Sequence, residues 1–362
     1  MRSFTDLDDL IGRVPGAVVT RLSTVDAGRG SEALYADQLP GLLKELADAA
    51  RVESVVASSA IEGIFVEQGR AERIVRGADQ RLRVRNEKEL AGYRDALDYL
   101  FHDDPGELAV GLVLHLHRLL FARTGGGGGQ FKTVDNLVVD RHPDGTSTVR
   151  FKPVTAAETP FYTSELVARY LAARTSGDYH SILLAGLFTL DFLTIHPFTD
   201  GNGRISRLLS TRLLSEADYH VGRYVSLEGL IYGRRDAYYD ALGASTGGWH
   251  EGAHDPWPWL SFFVDVIADA YETFARRAAD HRSGVTKQER VRKYILEHAV
   301  SSFEIADVRR ALPGVGDQTI RMVLRELKKA GLVQPTGTGR GAKWLRGGPG
   351  DSDEAPRSSR GG

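Results

Sequence analysis

Apolar residues recur at intervals of three and four along most of the first 283 residues, which is the spacing of an amphipathic helix. The first 30 residues lack a long repeat of this kind and include Gly28 and Gly30, so they predict an extended arm. From Ala33 the pattern turns helical and continues to Gly63, a glycine that suits the left-handed position after a helix. Further helices are predicted over residues 86–101, 108–121, 161–174, 181–195, 204–217 and 257–282.

One stretch in the middle of the chain has the two-residue alternation of β-strands. Residues 131–140 and 146–151 carry β-branched side chains on either side of Pro143-Asp144-Gly145, which predicts a β-hairpin. Residues 125–129 are five consecutive glycines, and a run without side chains predicts a flexible connection that lets the hairpin move. This part of the chain is therefore predicted to be mainly α-helical with one hairpin.

Composition narrows the possible chemistry of the 362-residue chain. It contains no cysteine, which excludes disulfides, thiolate metal sites and a cysteine nucleophile. No uninterrupted apolar run reaches the roughly 18 residues of a membrane span, and the first ten residues carry three aspartates instead of a signal-peptide core. We therefore expect a cytoplasmic protein without a membrane segment.

The net charge of −2 conceals an uneven distribution. Residues 284–346 hold 13 Lys and Arg against 6 Asp and Glu, whereas residues 1–283 hold 31 against 39. A basic segment attached to an acidic body favours an anionic partner for the basic part. The last residues, 347–362, have the composition of a disordered tail.

The basic segment has its own order of elements. Helices are predicted over residues 286–299, 305–311 and 317–330, followed by two short strands near 332–335 and 342–345. The order resembles a winged helix-turn-helix domain, whose third helix enters the major groove of DNA. A protein partner is the alternative, since winged helices also bind proteins. The residues predicted to contact DNA are Arg321, Arg325, Lys328 and Lys329 on the third helix, and Arg340 and Lys343 in the wing.

The residues best suited to catalysis lie between the predicted helices 181–195 and 204–217. Gly201-Asn202-Gly203 stands where a loop enters a helix, and the unpaired N–H groups of a helix start favour a phosphate. Arg204 and Arg207, three residues apart, share a face and can hold further phosphate groups. Asp200 offers an oxygen ligand for Mg²⁺, and His196 is suited to accept a proton near neutral pH. These parts are what attack of a hydroxyl on a nucleotide phosphate requires.

Residues 196–207 match the pattern His-Pro-Phe-x-Asp/Glu-Gly-Asn-Gly-Arg-x-x-Arg at every fixed position, and they resemble the core motif of the Fic (Fido) family. The resemblance extends over roughly residues 30–280. It implies an all-helical core and the transfer of AMP from ATP to a protein hydroxyl, with His196 as the base and Asp200 on Mg²⁺. The other motif positions are implied to contact phosphates, through the backbone of Gly201, Asn202 and Gly203 and the side chains of Arg204 and Arg207.

The predicted hairpin corresponds by the same resemblance to the flap of Fic proteins. An exposed strand edge can pair with an extended target segment and bring its hydroxyl near the base. Lys132, Asn136 and Leu137 are expected where the flap faces nucleotide or target.

Ser58-Ser59-Ala60-Ile61-Glu62-Gly63 resembles the inhibitory motif of that family, Ser/Thr-x-x-x-Glu-Gly/Asn. Ser58 and Glu62 are four residues apart and share one helix face. The resemblance implies that the Glu62 carboxylate occupies Arg207, which would otherwise hold the γ-phosphate, and so suppresses transfer.

Several other residues invite a functional interpretation. His115 and His117 are two apart on a helix and do not face each other, so we interpret them as structural rather than as metal ligands. Tyr232, Arg234 and Arg235 follow the motif helix and could line the nucleotide or substrate side.

We therefore predict four regions: an N-terminal arm with the inhibitory helix over residues 1–85, a Fic core over 86–283, a winged helix over 284–346 and a tail over 347–362. The predicted function is self-inhibited transfer of AMP from ATP to a target protein and to itself. Alternatives are a DNA-binding regulator whose core senses nucleotide, and AMP removal with Glu62 positioning water. The family resemblance also implies a homodimer.

Overall fold

The computed structural model describes residues 2–78, 81–102, 106–141, 146–282, 286–312, 314–336 and 343–346. The chain divides into two compact units, one of residues 1–40 and 50–275 and the other of residues 41–49 and 276–362. The predicted turn at 143–145, Arg340 and the predicted tail at 347–362 lie outside the described residues.

Helices dominate the described residues. The α-helices are α1 (Leu7–Ile11), α2 (Gly16–Gln38), α3 (Pro40–Ile61), α4 (Gln68–Val75), α5 (Arg85–His102), α6 (Val110–Phe121), α7 (Thr159–Ser176), α8 (Ser181–Ile195), α9 (Asn202–Glu216), α10 (Leu227–Gly233), α11 (Arg235–Thr246), α12 (Trp257–Arg282), α13 (Lys287–Lys293), α14 (Ile305–Ala311) and α15 (Asp317–Lys329). The strands are β1 (Val138–Arg141), β2 (Ser147–Phe151), β3 (Ser302–Phe303), β4 (Val333–Pro335) and β5 (Trp344–Arg346).

Helix α8 is the centre of the first unit. Of its 15 residues 13 are buried, because the sequence is apolar on every side, as expected of a helix enclosed by others. Helix α9 packs against α8 through its apolar stripe, which includes Ile205, Leu208 and Leu209. The loop that joins two such enclosed helices is fixed at both ends, which suits it to hold a precise site.

The N-terminal region is helical, so the predicted extended arm is wrong. Helix α2 runs through Gly28 and Gly30, which the sequence interpretation treated as helix breakers. A Cβ at position 28 would overlap the ring of Tyr271, so Gly28 is present because a helix packs closely there. The glycine serves packing and not chain reversal.

The predicted helix that begins at Ala33 is two helices. Leu39 separates α2 from α3, and Pro40 is the first residue of α3, where a proline has no N–H to leave unpaired. A proline also disfavours helical geometry in the residue before it, which explains the break. Helices α1, α4, α10 and α11 were not predicted; α1, α4 and α10 have eight residues or fewer, which is too short to show the helical repeat.

The hairpin is shorter than its predicted extent. Strands β1 and β2 are antiparallel with Val139 opposite Val149, and β1 begins at Val138 rather than at residue 131. Residues 131–137 are not a strand because their polar groups bond elsewhere: the Lys132 N–H donates to the carbonyl of Pro197. In the glycine run before it, a Cβ at Gly128 would overlap the backbone of His117, so this glycine allows a close backbone contact.

The second unit has the three predicted helices and the two predicted strands, and a short strand that was not predicted, β3, lies between α13 and α14. Thr286 and Glu289 form a capping box at the start of α13, which continues into a π-helical turn over Tyr294–His298. Strands β3, β5 and β4 form an antiparallel sheet in that order. The core of this unit is apolar and consists of Val291, Ile295, Ala299, Phe303, Val308, Leu312, Val315, Ile320, Val323, Leu324, Leu327 and Val333.

Candidate active site

His196 ends α8 in the left-handed conformation, with φ 52° and ψ 61°. Such a conformation is uncommon outside glycine and is found at functional turns. Its Nδ1 lies 3.1 Å from the carbonyl of Leu193. Because a carbonyl can only accept a hydrogen bond, Nδ1 carries the hydrogen and the lone pair is on Nε2. Burial lowers the pKa of His196 to about 4, so the imidazole is neutral near neutral pH. A neutral imidazole with a free Nε2 lone pair can accept a proton.

The motif loop is closed by side-chain bonds to its own backbone. Asn202 accepts from the Phe198 N–H at 2.9 Å and donates to the Phe198 carbonyl at 2.7 Å. The Asn202 side chain is thus engaged in the loop, and only its backbone remains for an anion. Phe198 itself is completely buried.

Helix α9 begins at Asn202 after Gly201, whose φ of 85° is left-handed. The first N–H groups of a helix have no partner within it and attract negative charge. The Glu62 carboxylate lies against this first turn, since a Cβ at Gly203 would overlap its Oε1. A glycine is required at position 203 for any acidic group to come so close.

Arg207 is buried and holds the end of α3. Its Nη2 donates to Glu62 Oε1 at 2.8 Å, and its Nε donates to Ser58 Oγ at 2.9 Å. Burial acts to lower the pKa of Arg207, but the carboxylate of Glu62 and the nearby hydroxyl of Tyr238 outweigh it, so the pKa is raised. The structure thus brings together Ser58, Glu62 and Arg207, the residues that the sequence grouped.

Glu62 closes α3 at the position where the sequence placed the helix end. Gly63 follows it with a left-handed φ of 76°. Its N–H donates to the carbonyl of Ala60 at 3.0 Å, which is the usual way a glycine ends a helix. Gly63 therefore turns the chain away and leaves the Glu62 side chain directed at Arg207.

Arg204 is paired with carboxylates of the protein. Its side chain is 1% exposed, its Nη1 donates to Glu89 at 2.6 Å, and its Nη2 donates to Asp200 at 3.3 Å. Arg85 bonds the same two carboxylates, Glu89 at 2.5 Å and Asp200 at 3.5 Å. The four side chains form a closed ring of two arginines and two acids. The resemblance assigns Arg204 to the phosphate chain, but a buried guanidinium needs carboxylate partners, and here it has them.

Lys132 and Asn136, which were expected to face nucleotide or target, bond to each other and to the motif loop. Lys132 is buried, and its Nζ donates to Asn136 at 2.9 Å and to the carbonyl of Ile195 at 3.2 Å. Asn136 donates to the carbonyl of Phe198 at 3.1 Å. Both residues fasten the entry to the hairpin onto the back of the motif loop, because that loop has carbonyls to satisfy. Leu137 is exposed.

His117 was interpreted as structural, and the structure gives it a specific position under the loop. Its Nδ1 accepts from the Gly129 N–H at 2.8 Å, so its Nε2 carries the proton and donates to the Asp200 carbonyl at 3.1 Å. Its ring is stacked on Phe198, with centroids 3.7 Å apart. Neither His117 nor Glu89 was predicted at the site. The only sequence signal for Glu89 is its i,i+4 spacing from Arg85.

Two clefts are lined in part by the motif loop. The larger has a volume of about 610 Å³ and is lined by both hairpin strands, α11 and the loop; its polar lining includes Glu62, His196, Arg150, Arg235 and Tyr239. Of the three residues that the sequence placed on the substrate side, only Arg235 lines it. Asp200 instead opens onto a second cleft of about 410 Å³.

Among the described residues, no three His, Asp or Glu side chains are grouped as a complete metal site. Asp200 nevertheless fits a Mg²⁺ shared with a nucleotide. Its carboxylate is 55% exposed, and Mg²⁺ is commonly bound by one or two carboxylates, water and substrate phosphates.

Comparison with known proteins identifies the segment that carries this site. The profile of the Fic/DOC family matches residues 107–214. The protein adenylyltransferase Fic of Drosophila ananassae is 30% identical over 114 residues, which are 31% of this chain. The matched part is 21% of that protein, so the chain spans about one fifth of this curated relative.

Two solved structures share the fold. A Fic family protein from Desulfovibrio desulfuricans G20 has a TM-score of 0.59 at 21% identity, over 93% of this chain and 98% of that chain. Fic-1 from C. elegans has a TM-score of 0.54 at 19% identity, over 75% of this chain and 74% of that chain.

In the part of the chain that the structure describes, no helix has the length and apolar character to cross a membrane. The segment that matches the Fic/DOC family model, residues 107–214, contains His196, Asp200 and Arg207.

Proposed function

We propose that this chain is a self-inhibited protein adenylyltransferase, which transfers AMP from ATP to a hydroxyl group of a target protein and of itself. The observation that carries the proposal is the position of the Glu62 carboxylate, against the first turn of α9 and 2.8 Å from Arg207. A helix start and a buried guanidinium together select a negative group. In the active state that group is a phosphate of the nucleotide.

His196 is the proposed general base. Its Nδ1–H bond to Leu193 orients the ring, and its low pKa keeps Nε2 unprotonated. Because His196 lines the 610 Å³ cleft beside the hairpin, a hydroxyl presented along the hairpin reaches Nε2.

The reaction then proceeds by in-line displacement. Nε2 of His196 takes the proton of the target hydroxyl while its oxygen bonds the α-phosphorus, and the bond to the leaving pyrophosphate breaks. Mg²⁺, held by Asp200 and the nucleotide phosphates, would neutralise charge on those phosphates. The N–H groups of the first turn of α9 hold a phosphate in place.

Self-inhibition follows from competition for Arg207. As long as Glu62 is bonded to Arg207, the guanidinium is not available to the terminal phosphate, and the nucleotide cannot take the productive position. The role of Ser58 is to hold Arg207 in place beside the carboxylate, through its hydroxyl and its carbonyl.

The test is the intact mass of the Glu62→Gly chain after incubation with Mg²⁺ and ATP, CTP, GTP or UTP in separate reactions. We expect addition of one or more AMP groups with ATP, and no addition by Glu62→Gly/His196→Ala. A chain that gains no nucleotide from any of the four, while folded, would overturn the proposal.

A second proposed function, DNA binding, concerns the second unit. It is supported by α15, whose residues Ile320, Val323 and Leu324 are buried while four basic residues on the same helix are exposed. Three helices and a three-stranded antiparallel sheet in this order are typical of a winged helix, with α15 as the helix that enters the major groove. The four basic residues are Arg321, Arg325, Lys328 and Lys329.

A mobility-shift titration over a salt series tests this second function. Each lost phosphate contact should reduce the slope of log K against log salt by about one. We expect this of Arg321→Ala and Arg325→Ala, and no change from Arg292→Ala, because Arg292 is paired with Glu326. No shift at low salt would leave a protein partner for this unit.

A further inference from the structure

The carbonyl of Ile61, one residue before Glu62, is held by two side chains of α11. Arg235 Nε donates to it at 3.2 Å and Tyr239 Oη donates to it at 3.3 Å. The last carbonyls of a helix have no partner within the helix, so such donors fix where the helix ends. They therefore fix the backbone from which the Glu62 side chain extends to Arg207.

Tyr239 also contacts the hairpin. The guanidinium of Arg150, in β2, lies 4.9 Å from the centroid of the Tyr239 ring, and that of Arg235 lies 5.3 Å from it. Both distances are within the range of a cation–π attraction. Burial raises the pKa of Tyr239, as does the Glu62 carboxylate, so the phenol keeps the proton that it donates to Ile61.

All of these groups line one cleft. Arg150, Arg235 and Tyr239 share the 610 Å³ cleft with Glu62 and His196. A protein segment that lies along the hairpin and presents a hydroxyl to His196 must therefore pass Arg150. Because β1 and β2 are paired, any displacement of the hairpin is transmitted to Arg150.

We propose that Tyr239 is a positioning residue that couples the hairpin to Glu62, so that a target segment in the cleft draws Arg150 from Tyr239 and loosens the Glu62–Arg207 pair. The coupling rests on the proposed self-inhibited transfer. It makes release of the inhibitory carboxylate depend on the arrival of the protein substrate.

The first test removes the hydroxyl alone. In Tyr239→Phe we expect self-labelling with ATP to rise about threefold to tenfold, the change in population that loss of one hydrogen bond usually brings. In the Glu62→Gly background the same change should have no further effect, because the group it positions is gone. Tyr162→Phe, which alters a tyrosine outside the cleft, is the matched control and should equal the wild type.

Hydrogen exchange gives a readout that does not depend on activity. Peptides that contain residues 58–64 should exchange faster in Tyr239→Phe than in the wild type or Tyr162→Phe, because the helix end has lost a donor. A purely structural tyrosine in α11 would change exchange in α11 without favouring this segment.

A double-mutant cycle tests the contribution of the hairpin. Arg150→Met should also raise self-labelling, and Tyr239→Phe/Arg150→Met should not exceed the larger single effect. Additive effects would overturn the coupling through Tyr239. If Glu62→Gly is active and Tyr239→Phe equals the wild type, this inference fails alone. If Glu62→Gly is inactive, the proposed function fails and this inference with it.

Discussion

Glu62 and Arg207 meet at the first turn of α9, with a carboxylate oxygen 2.8 Å from Nη2 of the guanidinium. Arg207 is buried, and the Glu62 oxygen lies where only a glycine at position 203 leaves room. The pair therefore occupies the most anion-selective place in the site. Any phosphate bound there has to displace a carboxylate that is already bonded.

Changing Glu89 to Gln should destabilise the protein strongly. The change neutralises a carboxylate that Arg204 and Arg85 share and leaves the buried Arg204 without its main partner. Breaking a buried ion pair costs about 3–5 kcal/mol. Urea unfolding monitored by tryptophan fluorescence measures it. Arg85→Gln is the control, since Arg85 is largely exposed and its loss should cost under about 1 kcal/mol. Equal losses in both variants would contradict the ring as described.

The rate of the Glu62→Gly chain should depend little on pH between 6 and 8. Burial lowers the pKa of His196 to about 4, and the base acts only when it is unprotonated. The rate should therefore fall only as the pH drops toward 4, well below the ordinary histidine value of about 6.5. Initial rates of self-labelling at a series of pH values give the profile. A midpoint near 6.5 would show that His196 is not held in the partly buried position described.

Changing His117 to Phe should disturb the motif loop while keeping the ring stacked on Phe198. The Asp200 carbonyl and the Gly129 N–H would lose their partner, at a cost of about 1–3 kcal/mol. Self-labelling of the Glu62→Gly chain should fall with the same change. His115→Phe is the matched control, and we expect it to retain both stability and labelling. If the two variants behave alike, the bonds of His117 do not hold the loop.

Helix α2 offers a direct test of close packing through a pair of glycines. An added Cβ at Gly28 would overlap the Tyr271 ring, whereas Gly30 has open space around it. Gly28→Ala should therefore cost about 1–3 kcal/mol through overpacking. Gly30→Ala should be neutral or stabilise by up to about 1 kcal/mol through helix propensity. Thermal unfolding of both variants distinguishes these outcomes, and a stable Gly28→Ala protein would mean that α2 is not packed as described.

The sequence predicted those elements whose position depends on local residue patterns. The apolar sequence of α8 gave its bounds, 181–195, without error, because a helix apolar on all sides is unambiguous. Residues 196–207 predicted the loop and the helix start. The pairing of Glu62 with Arg207 was implied by the resemblance of residues 58–63 to the inhibitory motif of the Fic family. Gly28 was wrongly interpreted as a helix breaker. A glycine is needed there because the ring of Tyr271, more than 200 residues away in the sequence, packs against it.

The long-range partners of side chains in the site could not be predicted from the sequence either. Lys132 was expected to face a ligand. The residue spacing in the hairpin does not predict that its Nζ donates to the carbonyl of Ile195. Arg204 was expected to contact phosphate. Its partner Glu89 is 115 residues away, so no residue near Arg204 in the sequence indicates this ion pair. Helix periodicity predicts which face of a helix is buried. It does not predict which charged side chain of another helix will pair with a residue on that face.

The initial rate of AMP incorporation, measured by intact mass with ATP and Mg²⁺, tests the central claim most directly when wild type and Glu62→Gly are compared. Because a carboxylate and a phosphate compete for Arg207, we predict a rate at least about tenfold higher in Glu62→Gly, the factor that about 1.4 kcal/mol of competition produces. Addition of His196→Ala should abolish it. Equal rates in wild type and Glu62→Gly would contradict the account.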